Sequence, residues 1–462
     1  MTRFENSLEM VFLFLFLFLP GKESKMAAQD LGSPTSGTSS RLGVEDVLPE
    51  LQTDQAMPGM DHHHHMVPQN LIQEILHHGA SGTTVEPDSS PHDMLTVEKA
   101  GWDLMLHGVA FLNAIQQSGP RGKDKVFSTN WLMGMAQRQA GPGQLTLRAM
   151  VSLEPATVTN RFYPELFQQG ETAFGNPITD GQHPHDFFME LAALYDIKLG
   201  QHGLLSFYAA PVGDPAMGPA AYAHRTSASE DPLATLGHHL QDSTHIAADV
   251  MTVGLAYKSV RLEGSGFHGR EPDEFRWDID SGKIDSWSTR LTVQPGKNWS
   301  GQYSFAHLTS PEALHPNEDI QRMTASIMYN RPLARGNWAS TLLWGRNHSL
   351  ASGENFNGYL AESSVRFARH NNVWGRIENA DRTTELLLNG GPEPPGFDES
   401  FLARVQAYTV GYDRELGRIP YLATAIGGQV TLYNKPDALT PTYGRHPAGV
   451  VLFLRVRPVP RH

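Results

Sequence analysis

The chain has 462 residues, with 36 Lys and Arg against 49 Asp and Glu, and a formal charge of −13 argues against gripping a phosphate backbone. It contains no cysteine, which removes disulfides, zinc fingers, iron–sulfur ligation and thiol catalysis together. No apolar run reaches the ~18–20 residues that a spanning helix needs, so a polytopic helical membrane protein is excluded; a membrane β-barrel is not, because half of its strand residues are polar.

The first element is the run at residues 10–19, MVFLFLFLFL, followed by Pro20 and Gly21. It is too short to span a bilayer and suits the apolar core of a secretory signal, so residues 1–25 read as an export segment. Residues 26–100 turn to Ser, Gly, Thr, Pro, Gln and Asp with little periodicity, the composition of a disordered linker. Within it lie Met57, Met60, His62, His63, His64, His65 and Met66. Thioethers and imidazoles suit Cu(I) and Cu(II), and a flexible segment can wrap one ion; the plainer alternative is an incidental His tract. The stretch resembles the Met/His-rich N-terminal segments of bacterial outer-membrane copper-resistance proteins. That resemblance implies copper, or another divalent metal, as its ligand.

From Trp102 onward the chain breaks into segments with period-two alternation, the signal of half-buried strands. Leu145, Leu147, Ala149 and Val151 fall on one face, and Thr146, Arg148, Met150 and Ser152 on the other. Met251, Val253, Leu255 and Tyr257 alternate in the same way with Thr252, Gly254, Ala256 and Lys258. Tight turns are expected at Ala140-Gly141-Pro142-Gly143, Gly200-Gln201-His202-Gly203, Lys258-Ser259, Pro295-Gly296-Lys297-Asn298, Ala334-Arg335-Gly336-Asn337, His370-Asn371-Asn372 and Glu415-Leu416-Gly417. Between them lie long polar connections at 116–126, 155–187, 211–248, 269–285, 309–321, 347–355, 381–400 and 435–446. Short and long links alternate, so every long one falls at the same end. This predicts an all-β transmembrane antiparallel up-and-down barrel over 101–462, with about sixteen strands, short periplasmic turns and long extracellular loops.

The faces agree with that layout. Trp287, Trp299, Trp338, Trp344, Tyr329, Tyr257 and Tyr195 sit near strand ends, where amphipathic rings favour the membrane interface. Arg148, Glu154, Arg261, Glu263, Arg290, Arg322, Glu362, Arg366, Arg376, Glu378 and Arg404 are assigned to the opposite, lumen-lining face, because charge facing hydrocarbon is costly.

In this architecture the chain resembles bacterial outer-membrane porins from Trp102 to its end. Phrases such as Gln182-His183-Pro184-His185-Asp186-Phe187 and Arg331-Pro332-Leu333-Ala334-Arg335-Gly336-Asn337-Trp338 are similar to those of a poorly characterised group of bacterial outer-membrane barrels. The resemblance implies a Gram-negative outer-membrane location, lipid as surroundings, and a homotrimer. One departure is the end, Arg457-Pro458-Val459-Pro460-Arg461-His462, where porin-like chains close on an aromatic. The assembly signal is then expected in strand 449–456, or the end is extended.

Several of the 22 histidines fall in the long connections. His183, His185 and Asp186 end one; His238, His239, Asp242 and His245 end the next; His268, followed by Glu271 and Asp273, closes a later strand, with His224 in the loop between. If all reach one rim, His183, His185, Asp186, His238, His239, Asp242, His245 and His268 form a candidate divalent-metal site, since neutral imidazole with carboxylate suits Zn, Cu, Ni or Fe(II). The alternative is that these side chains tie loop carbonyls. Catalytic motifs are absent: there is no G-x-S-x-G, Walker loop or G-x-G-x-x-G after a strand, and Asp242-Ser243-Thr244-His245 is no triad by adjacency alone. The expected function is passage of small polar solutes or metal ions, linked to copper handling. The alternative is a metal-binding or hydrolytic protein with its His/Asp site at the extracellular rim.

Overall fold

A computed structural model of the chain describes residues 68–243, 247–419 and 421–460. The export segment, the Met/His stretch at 57–66 and His245 lie outside the described residues.

Sixteen antiparallel strands form one closed sheet: β2 (Trp102–Gln117), β3 (Asp124–Ala140), β4 (Gly143–Val151), β7 (Phe188–Leu199), β8 (Gly203–Val212), β9 (Ala248–Tyr257), β10 (Val260–His268), β11 (Ser286–Gly296), β12 (Trp299–Leu308), β13 (Ile320–Leu333), β14 (Gly336–Ser349), β15 (Asn355–Phe367), β16 (Asn371–Thr383), β17 (Phe401–Ile419), β18 (Leu422–Asn434) and β19 (Ala448–Pro458). Each pairs with its neighbour in order, and β19 returns to β2 with Gly449 opposite Gln117 and Val456 opposite Ala110. Closure satisfies the wall's backbone donors and acceptors and leaves no sheet edge for another chain to pair with. A short β1 (Leu95–Lys99) pairs with the start of β2, and the helical turn α2 (Glu154–Thr157) and the hairpin β5 (Tyr163–Ala173) with β6 (Asn176–Gln182) lie in the connection from β4 to β7.

The alternation read from the sequence sets the two faces of this wall. Along β9, Met251, Val253 and Leu255 are 63%, 52% and 54% exposed, whereas Thr252 and Ala256 are 3% and 1%. In water so continuous an apolar band would drive aggregation; in hydrocarbon it is the solvated face. At the short-turn end, Trp299 and Tyr329 rings lie 4.6 Å apart and Tyr329 and Trp338 5.3 Å, part of an interfacial aromatic girdle. These are the features of an outer-membrane barrel. One expected turn is displaced: Glu415 and Gly417 flank a register shift within β17, which runs on to Ile419 before the chain reverses. A glycine there relieves a bulge and does not mark the end of the strand.

The interior is filled. Residues 68–94, expected to belong to a disordered linker, enter the barrel and are part of its folded interior. Helix α1 (Leu71–His77) starts at Asn70, whose side chain accepts from the Gln73 amide, and buries Leu71 and Ile75 against Leu204 and Ala256 of the wall. The following turn has no strand to pair with, and wall arginines supply its donors. Arg148 donates to the carbonyls of His78 (3.1 Å), Ala80 (2.7 Å) and Gly82, Arg261 to the carbonyl of Thr83 (2.7 Å), and Arg290 to the Thr83 hydroxyl (2.8 Å). A second segment, residues 213–243, folds in from the long-loop end. Arg290 holds the Gly218 carbonyl at 3.0 Å, Arg225 of the segment meets Glu362 at 2.8 Å, and Arg376 bridges Glu362 and Asp231.

The lumen-facing charges are therefore buried, held in ion pairs or hydrogen-bonded to the inserted segments and the wall. Arg148, Arg261, Arg290, Arg322 and Arg376 point inward and are all buried, as are Glu154, Glu263, Glu362 and Glu378. Arg366 also faces inward, against Glu415 at 2.6 Å. Arg404 does not. It stands on the outer face near the long-loop rim, paired with Asp381 at 2.6 Å, where a second charge and the nearby water make an outward arginine tolerable.

The seat of the N-terminal segment is pH-sensitive. Burial, then the charge of Glu74, pushes Glu86 up to about 7 and Asp88 up to about 6, while Arg225 and Thr226 pull Glu86 down. His92, 3.3 Å from Glu74, is raised because the Glu74 carboxylate outweighs its burial. The seated segment thus holds protons that a released one gives up. Its seating is strongest below about pH 4, where free carboxyls are also protonated, weakens through about 6 and 7 as Asp88 and Glu86 ionise, and weakens further as His92 gives up its proton. Bilayer conductance should accordingly be severalfold higher at pH 8 than at pH 5, with Glu86→Gln flattening the difference. An unchanged slope in that variant would contradict the assignment.

Candidate functional site

At the long-loop end the connection from β4 to β7 meets the inner segment, residues 213–243. His183 follows β6, and His238 and His239 open α3 (His238–Gln241), a single turn carried by the inner segment. That turn lies directly on the wall at Gly345, where an added Cβ would stand 2.1 Å from the Leu240 carbonyl oxygen. The ligand nitrogens of His183, His238 and His239 all lie within 4.8 Å of one another.

Neighbouring groups set the tautomers. His183 Nδ1 donates to the Pro184 carbonyl at 2.9 Å, which turns Nε2 inward, 3.0 Å from Glu171. His238 Nε2 lies 2.9 Å from Gln182 Oε1, so its Nδ1 carries the ring lone pair. Burial, and then the charge of Arg276, holds His183 well below the ordinary imidazole range. Burial and then Arg322 lower His239 to about 3. Both are neutral, the form in which imidazole binds metal.

The other expected ligands are engaged elsewhere. His185 sits 2.9 Å from Glu154, whose carboxylate outweighs burial and raises it, making it a cation's partner to a carboxylate and a poor metal ligand. Asp186 pairs with Arg276 at 3.2 Å. Asp242 ends α3, and its carboxylate is not among the ligand atoms that converge. His268 reaches the Lys283 carbonyl at 2.9 Å, in another loop. Of the seven expected residues that are described, three thus come together.

Above them opens a vestibule that the sequence did not disclose. Glu312, His315 and Glu399 place their ligand atoms within 4.8 Å of one another, and Glu271, Glu385 and Glu393 line the same cavity, which His239 also borders. Burial and the crowding of Glu399 lift Glu312 to about 8. These carboxylates come from three separate loops, so no local spacing announces them. The site is a cluster of crowded carboxyls, Glu312 among them holding its proton at neutral pH, beside neutral imidazoles; a cation entering it would have to displace such protons.

Fold and site together define a plugged, transmembrane β-barrel with an acidic mouth. No family model matches the sequence, and no curated protein matches it either. Among solved structures, an anion-selective porin from Comamonas acidovorans is similar over 77% of this chain and 99% of that one, at 12% identity and a TM-score of 0.46. OprB from Pseudomonas putida is similar over 78% and 94%, at 9% identity and 0.47. OmpF from Salmonella typhi, solved with daunomycin, is similar over 78% and 100%, at 10% identity and 0.45. What is common to them is the barrel.

Proposed function

We propose that the chain is an outer-membrane channel whose inserted segments restrict it to small polar solutes or metal ions, and that the imidazoles at its mouth bind a divalent metal on the way in or out. The convergence of His183, His238 and His239 beneath the acidic vestibule carries this reading. Zinc and Cu(II) fit the nitrogen set, with Gln182 and the Pro184 carbonyl orienting two of the rings from outside. The Met57 to Met66 stretch is assigned to gathering copper on the periplasmic side, and the barrel to a homotrimer, as its resemblance to porins implies.

Elemental analysis of the purified barrel, after exposure to Zn(II) or Cu(II) and washing, tests the mouth site. One equivalent should fall away in His183→Ala and in His239→Ala while the heat-shift of the folded barrel on gels is unchanged. Equal metal in wild type and both variants would end the proposal.

A further inference from the structure

A second group of metal-ligating side chains lies inside the barrel, apart from the mouth. The register of β2, β3 and β4 sets His107 opposite Met133, and Met133 opposite Met150, in one row across three adjacent strands. Alternation turns all three inward. Side chains directly opposite on one face of a sheet stand about 4.5–5.5 Å apart at Cβ, close enough to share one ion. His224 comes over this row from the inner segment with Nε2 3.0 Å from the Met150 sulfur. The Trp131 ring closes the side, 4.3 Å from the His224 ring and 5.1 Å from that of His107.

Packing alone accounts for a methionine cluster but not for its imidazoles. His107 Nε2 is buried with no hydrogen-bond partner among the described residues, and the one polar contact of His224 Nε2 is a thioether, a weak acceptor. Two thioethers and two imidazoles are a soft donor set that suits Cu(I) and disfavours Zn(II) or Mg(II). The indole face adds attraction for a dry monovalent cation. Arg148, the nearest fixed positive charge, is paired with Glu190 at 2.8 Å.

We propose that Met133, Met150, His107 and His224 form an internal Cu(I) site, with Trp131 packed against it. For its role in the cell this rests on the metal-passage reading above, but the residues are separate from the mouth site. The test uses the full-length barrel under reducing conditions, titrated with Cu(I) against a chromogenic chelator, with the Trp131 contribution to fluorescence taken from a Trp131→Phe comparison. The wild type should hold one equivalent more than Met133→Leu/Met150→Leu, and Cu(I) should quench Trp131 in the first and not in the second. His224→Asn, a change in a connection and not in the wall, should lose the same equivalent. The His183→Ala barrel should retain it, so failure of the mouth site leaves this result readable. Full Cu(I) binding in both the double variant and His224→Asn, or equal quenching of Trp131 by Zn(II), would overturn the proposal.

Discussion

Gly345→Val should give a barrel that folds and runs on gels as the wild type does, yet has lost the metal at its mouth. Gly345 is paired within the wall, where a β-branched residue suits the strand itself. Its inner face is the difficulty. The atoms a Cβ would meet are the Leu240 carbonyl oxygen at 2.1 Å and the Gln241 Cα at 2.9 Å, both backbone, so no rotamer change relieves the contact. The turn α3 must lift, and it takes His238 and His239 with it. Metal affinity should fall tenfold or more, the scale on which disturbed ligand support is felt. Gly358 is the control, because a Cβ there meets the end of the Gln241 side chain and Leu240 Cδ1 at 3.3 Å each, and the backbone only at ordinary contact, 3.6 Å from the Gly237 Cα. Gly358→Ala should keep its metal. Undiminished binding in Gly345→Val would show that α3 does not carry the site.

Arg376→Ala should release the inner segment. Arg376 meets Asp231 at 3.0 Å and Glu362 at 3.3 Å, and donates to the carbonyls of Leu233 and Ala234 at 3.2 Å each. Its removal leaves two buried carboxylates short of a partner, a change that costs about 3–5 kcal/mol in comparable settings. Residues 213–243 then become open to protease, and conductance rises. Arg376→Lys restores the charge but cannot reach four acceptors from a planar fork, and should recover only part of the loss. A protease-resistant, wild-type-conducting Arg376→Ala barrel would show that the segment is held by other contacts.

The wall was legible in the sequence because its period is two and each side chain's face follows from parity alone. Leu145 through Val151 and Met251 through Tyr257 point as read, and the short and long links fall at the ends expected. Glu415-Leu416-Gly417 misled because a bulge and a turn both use glycine. Arg404 misled because the rule that charge faces inward holds for the hydrocarbon and relaxes at its edge. The filled interior was harder to see. Asn70 before Leu71, Ile72, Ile75 and Leu76 is a capped helical stripe, a signal present within a segment whose overall composition reads as linker. The three imidazoles that converge were on the expected list, but the partners that divert His185, Asp186 and His268 are distant in sequence and appear only in three dimensions. The row His107–Met133–Met150 was readable in principle, since it needs only the register of three consecutive hairpin strands.

The N-terminal segment continues directly into β1, which is stitched to the foot of β2 through the turn at Ala100 and Gly101. Cork and bottle are one chain with almost no leash between them. When the cork loosens it stays within a few residues' reach of its seat, at an effective concentration in the millimolar range, so resealing is a first-order event independent of how many copies the membrane holds. A channel built this way is expected to show brief openings and not permanent loss of its stopper.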